Sequence, residues 1–278
     1  MFLPLAVTNV VFPLGPPPTP AGNPLRQSDE LPIIPDLSPL EDPLRFFLLR
    51  AWLDECDSHP CCKEPRNYRP TRLLDVSNPN ALRLVSGEKI DDEPYIVLSH
   101  CWGNLEPDEV SAYCTTGQNV HVREGNSGFI DTSLPATFLD AVKVTRALNI
   151  RYLWIDSLCI IQKDPEDWER EARCMEKVYS SAYLTIAATS ATNSKSGFLK
   201  RNANCKHVYI QDDLGRRAYI RNIVADFDHE VEGAEINTRG WILQERMLSR
   251  RTIHFGPHQM YFECGEAVHC EDLTRMTW

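Results

Sequence analysis

The strongest constraint on this chain is an alternation, between residues 95 and 188, of short apolar runs with longer segments of helical periodicity. YIVLS from Tyr95 is a continuous apolar run, Pro135 to Leu148 places its apolar residues at helical spacing, and RYLWID from Arg151 is again strand-like. Pro165 to Tyr179 then reads as one helix and AYLTIAA from Ala182 as a third strand. Runs that are apolar at every position suit strands covered on both faces, and helices of this length between them supply the crossovers that parallel pairing needs. The expected fold is α/β, a parallel sheet flanked by helices, with YIVLS and RYLWID as neighbouring parallel strands at its centre.

The flanks read differently. Eleven of the 20 prolines fall between Met1 and Pro43, in runs such as Pro16-Pro17-Pro18, so 1–42 is expected to be an extended or disordered arm and 43–278 the folded domain. That domain opens on PLRFFLLRAWLDEC, where Leu44, Phe47, Leu48, Ala51 and Trp52 recur at helical spacing behind a proline suited to a first turn. Further on, VYIQ from Val208 and AYIRNI from Ala218 suggest a hairpin around Asp212, Asp213 and Gly215. Thr238 to Leu248 is expected to be helical, with RTIHF and MYFEC as two last strands.

Composition narrows the function. The formal charge of -10 argues against a polyphosphate-binding surface and so against nucleic acid as a partner. No apolar run approaches the roughly 20 residues that cross a bilayer, and the apolar start to Leu14 is broken by Pro4 and Pro13 without a basic leader, so neither anchor nor signal peptide is expected. The ten cysteines are scattered, several inside apolar stretches, which favours a reducing, cytoplasmic setting. Without G-x-G-x-x-G or a Walker loop, Rossmann dinucleotide binding and P-loop phosphoryl transfer are disfavoured.

Three segments carry a resemblance: YIVLSHCWG (95–103), LPATFLDAVKVTRALNIRYLWIDSLCIIQKDPEDWEREARCMEKVYSSAYLTIAA (134–188) and TRGWILQERMLSRRTIHF (238–255). In this order and spacing they resemble the HET domain, the fungal heterokaryon-incompatibility module, over roughly residues 45–270, with the core signature at 95–255. The upstream WLDEC with His59 is similar to what precedes that domain in many members. Family members usually continue well beyond the position of Trp278, so a short member or an isolated domain is expected. HET domains in turn resemble TIR domains, a flavodoxin-like fold in which many members cleave NAD at the nicotinamide glycosidic bond. The resemblance therefore implies a part in non-self recognition and regulated cell death, with NAD as substrate rather than cofactor. Self-association or incompatibility partners would switch it on.

Candidate site residues follow from both lines of reasoning. In open parallel sheets ligands sit beyond the carboxyl ends of strands where strand order reverses. Ser99, His100, Trp102 and Gly103 lie beyond YIVL, and Asp156 and Ser157 beyond the WI of the next strand. Asp156 and Ser157 equally suit capping of the following turn, and His100 a structural role. In the TIR-like reading a carboxylate on the helix from Pro165 stabilises the positive character left on the ribose as nicotinamide departs. Glu171, three residues after Trp168 and so on its helix face, is the expected catalytic group, with Glu169 as the alternative. TIR enzymes place this glutamate four residues after the tryptophan, where this chain has Ala172, and the charge-rich stretch from Asp164 to Arg173 also suits a solvated face. In TRGWILQER, Arg239 offers a planar fork for phosphate or carboxylate, Trp241 a stacking surface, and Gln244 and Glu245 follow on the face of Trp241. The same residues suit buttressing of the SHCWG turn.

Two further readings compete. Cys56, His59, Cys61 and Cys62 are too closely spaced for a common structural metal site unless Cys264, His269 or Cys270 completes it, so no metal is expected. A cysteine hydrolase using Cys101 or Cys159 with His100 would need a bent backbone, because neighbours on a strand point to opposite faces. The main alternative to an NAD-cleaving enzyme is a non-catalytic signalling module that assembles with partners.

Overall fold

The structure is a computed structural model that describes residues 43–63, 68–125, 127–129, 134–201, 207–211, 217–221, 226–238 and 245–277. The proline-rich segment 1–42 lies outside them, as do Arg239, Trp241 and Gln244. In chain order the described elements begin with α1 (Pro43–Cys56), β1 (Arg72–Asp75), β2 (Arg83–Ser86) and β3 (Tyr95–Ser99). Helices α2 (Pro107–Tyr113), α3 (Val120–Glu124) and α4 (Ala136–Ala147) lead to β4 (Tyr152–Trp154). Helices α5 (Asp156–Cys159), α6 (Pro165–Ala172) and α7 (Met175–Ser181) lead to β5 (Leu184–Ala187). The rest is β: β6 (His207–Gln211), β7 (Arg217–Arg221), β8 (Arg251–Phe255), β9 (Met260–Cys264), β10 (Ala267–Cys270) and β11 (Arg275–Thr277).

Nine strands form one sheet in the order β11-β10-β9-β8-β5-β3-β4-β1-β2. Its centre is parallel: β3 pairs with β4 (Val97 opposite Trp154) and with β5 (Leu98 opposite Ile186), and β5 pairs with β8 (Ile186 opposite Ile253). The expected parallel neighbours at the centre are therefore present. Ile96, Val97, Leu153, Ile186 and Ile253 are fully buried, which is why these segments read as unbroken apolar runs.

The parallel strands stand in the order second, first, third, fourth along the chain, which is the flavodoxin-like and TIR-like arrangement. From β3 the chain passes to one side to make β4, then crosses back to make β5 on the other. Strand order thus reverses at β3, and its carboxyl end beside that of β5 is the switch point.

The margins depart from expectation. Antiparallel β1 and β2 extend one edge and β9, β10 and β11 the other, so the sheet is mixed and MYFEC is not the last strand. The predicted hairpin is present as a separate two-stranded sheet, β6 with β7. The single helix expected over 165–179 is two, α6 and α7, with the break at Arg173 and Cys174. Neither proline nor glycine marks that break, so apolar spacing reads straight through it.

Candidate functional site

Two walls of the site are loops leaving the parallel strands β3 and β5, and Glu235 from the turn Glu235–Thr238 completes the lining. After β3 the chain turns sharply at Gly103, whose φ of +70° is left-handed and whose missing Cβ would lie 2.4 Å from Cβ of Asn193. After β5 the loop carrying Asn193 is held by α4. Thr137 Oγ1 donates to the Asn193 carbonyl at 3.0 Å, and buried Asp140 accepts the backbone N–H groups of Phe198 and Leu199 at 2.8 and 3.0 Å. Ser194 ties the two loops together, its hydroxyl donating to the Trp102 carbonyl at 3.1 Å.

Between the loops lies a cavity of about 580 Å³, lined by Trp102, Gly103, Asn104, Thr192, Asn193, Lys195 and Glu235. Its volume suits a nucleotide-sized ligand. Lys195 pairs with Glu109 of α2. The hydrogen bond raises the lysine and lowers the carboxyl, so each holds the other charged.

A buried polar cluster sits at the strand ends. Ser99 Oγ donates to Glu245 Oε2 at 2.7 Å, and Trp102 Nε1 donates to Asp156 Oδ2 at 2.8 Å. Tyr179 from α7 joins them: burial pushes its phenol well above its usual range, reinforced by the charges of Glu245 and Asp156 and a hydrogen bond to Glu245. It therefore stays a protonated donor at neutral pH. The turn after Glu245 is fastened to the sheet, because Ser249 Oγ donates to the Glu245 carbonyl at 2.7 Å and lies 2.7 Å from the Thr185 hydroxyl on β5.

Of the residues singled out in the sequence, Ser99, Trp102, Gly103, Asp156 and Glu245 are brought together here. His100 is buried behind them, its ring edge-on to Phe138 with centroids 5.1 Å apart and parallel to Trp102 at 6.5 Å. Asp156 is the first residue of α5, its Oδ1 accepting the N–H of the adjacent Ser157 at 2.6 Å without capping the helix, and Ser157 is buried.

Trp168 and Glu171 part company. Trp168 is 55% exposed whereas Glu171 is 2% exposed, paired with Arg170 at 3.3 Å. Neither lines the cavity. Nor is the helix simply a solvated charged face, since Asp167 is buried against Arg72 as well. Glu169 is on the surface, paired with Arg173.

The cysteine-hydrolase reading loses its nucleophiles. Cys159 is buried within the core and burial pushes its thiol up to about 12, leaving it protonated at neutral pH. Cys101 is buried against Ile236.

Thr192, Asn193 and Lys195 were not singled out in the sequence, although a signal existed. They follow AYLTIAA as directly as SHCWG follows YIVL, and the carboxyl-end rule applies to both loops. Tyr179 gave none, since it reads as an ordinary core aromatic on a helix.

A flavodoxin-like sheet with a cavity over its switch point defines an α/β protein whose candidate site lies at the carboxyl ends of its strands. The profile of the family described as "Heterokaryon incompatibility protein (HET)" matches residues 95–245, more than half of the chain and both cavity loops. The chain belongs to the heterokaryon-incompatibility family. No curated protein and no solved structure matches it.

Proposed function

We propose that this HET chain acts in non-self recognition by cleaving NAD, releasing nicotinamide and triggering regulated cell death. The observation that carries the reading is a buried carboxylate, Glu245, held by the Ser99 hydroxyl at the switch point whose loops form the cavity. In such a site Lys195 and the Gly103 turn offer a cation and close backbone approach to a pyrophosphate, and Trp102 a face for a ring. As the glycosidic C–N bond breaks, its electron pair leaves with nicotinamide and C1′ of the ribose becomes cationic. Water then adds to C1′ and loses a proton, giving ADP-ribose. A preorganised carboxylate stabilises the cationic state.

Glu245 is taken over Glu171 for this role because it joins Ser99 and Tyr179 at the strand ends, whereas Glu171 is paired with Arg170 on α6; neither glutamate lines the cavity itself. The test is to incubate the purified chain with NAD over a range of protein concentrations and follow nicotinamide by chromatography. Release that steepens with concentration is expected of an enzyme switched on by self-association. A concentrated or artificially clustered chain that leaves NAD intact would favour the second reading, a non-catalytic module that assembles with partners. The exposed indole of Trp168 on α6 supports that alternative.

A further inference from the structure

Four potential ligands that are far apart in sequence meet in the folded chain. Cys56 ends α1, His59 and Cys62 bracket the short turn that follows, and Cys264 ends β9. All four are buried, and their donor atoms lie within 4.8 Å of one another. His59 Nδ1 is 3.7 Å from Cys264 Sγ. A tetrahedral ion with metal–sulfur bonds of about 2.3 Å spaces its sulfur ligands about 3.8 Å apart, so the cluster has the size of one coordination shell.

The surroundings are those of a ligand set rather than of a chance meeting of thiols. His59 Nε2 lies 3.4 Å from Oε2 of Glu266, a contact that fixes the ring and leaves Nδ1 facing the sulfurs. The backbone N–H groups of Glu266 and Ala267 donate to the Cys264 sulfur. Those two backbone donors come from the tight turn between β9 and β10 and orient the sulfur. The guanidinium of Arg251 is buried beside the cluster, 3.5 Å from the Cys62 carbonyl and 2.6 Å from Asp57. It offsets the single negative charge that three thiolates leave on a dication.

We propose that Cys56, His59, Cys62 and Cys264 form a structural zinc site that clamps the end of α1 and its following turn to the β9–β10 hairpin. Three thiols and one imidazole within 4.8 Å of one another, with no other residue in the set among those described, suit zinc in a structural role. The expectation of no metal rested on the compressed spacing of Cys56, His59, Cys61 and Cys62, with completion by Cys264, His269 or Cys270 as its exception, and Cys264 meets it. That residue arrives through the fold, 205 positions after His59. Cys61 lies next to the set but is exposed and stands outside it.

The test uses the whole chain, purified under reducing conditions with zinc in the growth medium. Elemental analysis is expected to find one zinc per chain, unchanged in Cys61→Ser and lost in Cys264→Ser and His59→Ala. Glu266→Gln, which touches no metal, should weaken zinc affinity by about 10-fold to 100-fold in competition with a chromophoric chelator. Because ligand variants risk misfolding, the wild-type chain carries the decisive arm: cobalt(II) exchanged into it should give the visible absorption of a tetrahedral thiolate complex. A strong chelator should lower its melting temperature, with recovery on adding zinc and none on adding magnesium. A reduced, folded wild-type chain that carries no zinc and gives no cobalt spectrum would overturn the proposal. So would peptide mapping that finds Cys264 in a disulfide with Cys56 or Cys62 in the freshly isolated protein.

Discussion

Glu245 and Glu171 are both buried glutamates, and what separates them is their neighbours. Glu245 accepts hydroxyl donors where the parallel strands end, whereas Glu171 faces a guanidinium on its own helix. His254 on β8 shows how burial shapes a residue in the adjoining crevice, where it lies near Ser99 and Asn237. Burial holds its ring below the ordinary pKa of 6.5, although a hydrogen bond to Glu263 opposes the shift. Glu263 stays ionised through this range: burial would raise it, but hydrogen bonds from Arg246 and His254 hold it down to about 2. The unfolded chain therefore binds a proton on His254 more readily than the folded chain, so stability falls as pH drops below 6.5 and is restored above it. Melting curves between about pH 7 and pH 5 should record this decline, and His254→Gln should flatten it. An unaltered pH slope in that variant would place the acid sensitivity elsewhere.

Among the elements, the loop after β3 and helix α6 carry the sharpest consequences. Gly103→Ala puts a methyl group on a left-handed residue and against Asn193, so it should cost about 1–3 kcal/mol in denaturant unfolding and disturb both cavity walls. α6 is tied to β1 by the buried pair of Asp167 and Arg72, whose Nε also donates to the Cys159 carbonyl at 2.9 Å. Asp167→Ala leaves that guanidinium buried without its carboxylate and should destabilise the fold by about 3–5 kcal/mol, read from the urea midpoint. A loss below about 1 kcal/mol would mean that water replaces the carboxylate.

These two elements also mark what the sequence discloses. Ile96, Val97, Leu153 and Ile186 are buried on both faces of the sheet, so the parallel strands appear as apolar runs and their crossovers as helices. β1 and β2 are four residues each, and β1 begins and ends on charges, Arg72 and Asp75, that are buried through ion pairs; such a strand has no apolar signature. Ser99, Trp102 and Asp156 were legible as residues directly beyond strand ends. The contact of Glu245 with Ser99, across 146 positions, matches the expectation that TRGWILQER buttresses the SHCWG turn; what the sequence left open was whether that glutamate is structural or meets a ligand.

At the scale of the whole molecule, the sheet order places the two loops that form most of the candidate site. β3 and β5 are neighbours because the chain reverses direction across β3, and the cavity lies between the two loops that this reversal sets side by side. The antiparallel strands on either margin extend the sheet without entering the site. On the proposed function, NAD cleavage takes place at this switch point and depends on Glu245. The most direct measurement is the initial rate of nicotinamide release from NAD by wild type, Glu245→Gln and Glu171→Gln at one concentration, each with its melting curve. A loss of about 10²- to 10³-fold is expected in Glu245→Gln, with the folded state retained, and near wild-type release by Glu171→Gln. An active wild type whose cleavage survives Glu245→Gln but is abolished in a folded Glu171→Gln would contradict this and move the reacting carboxylate to α6.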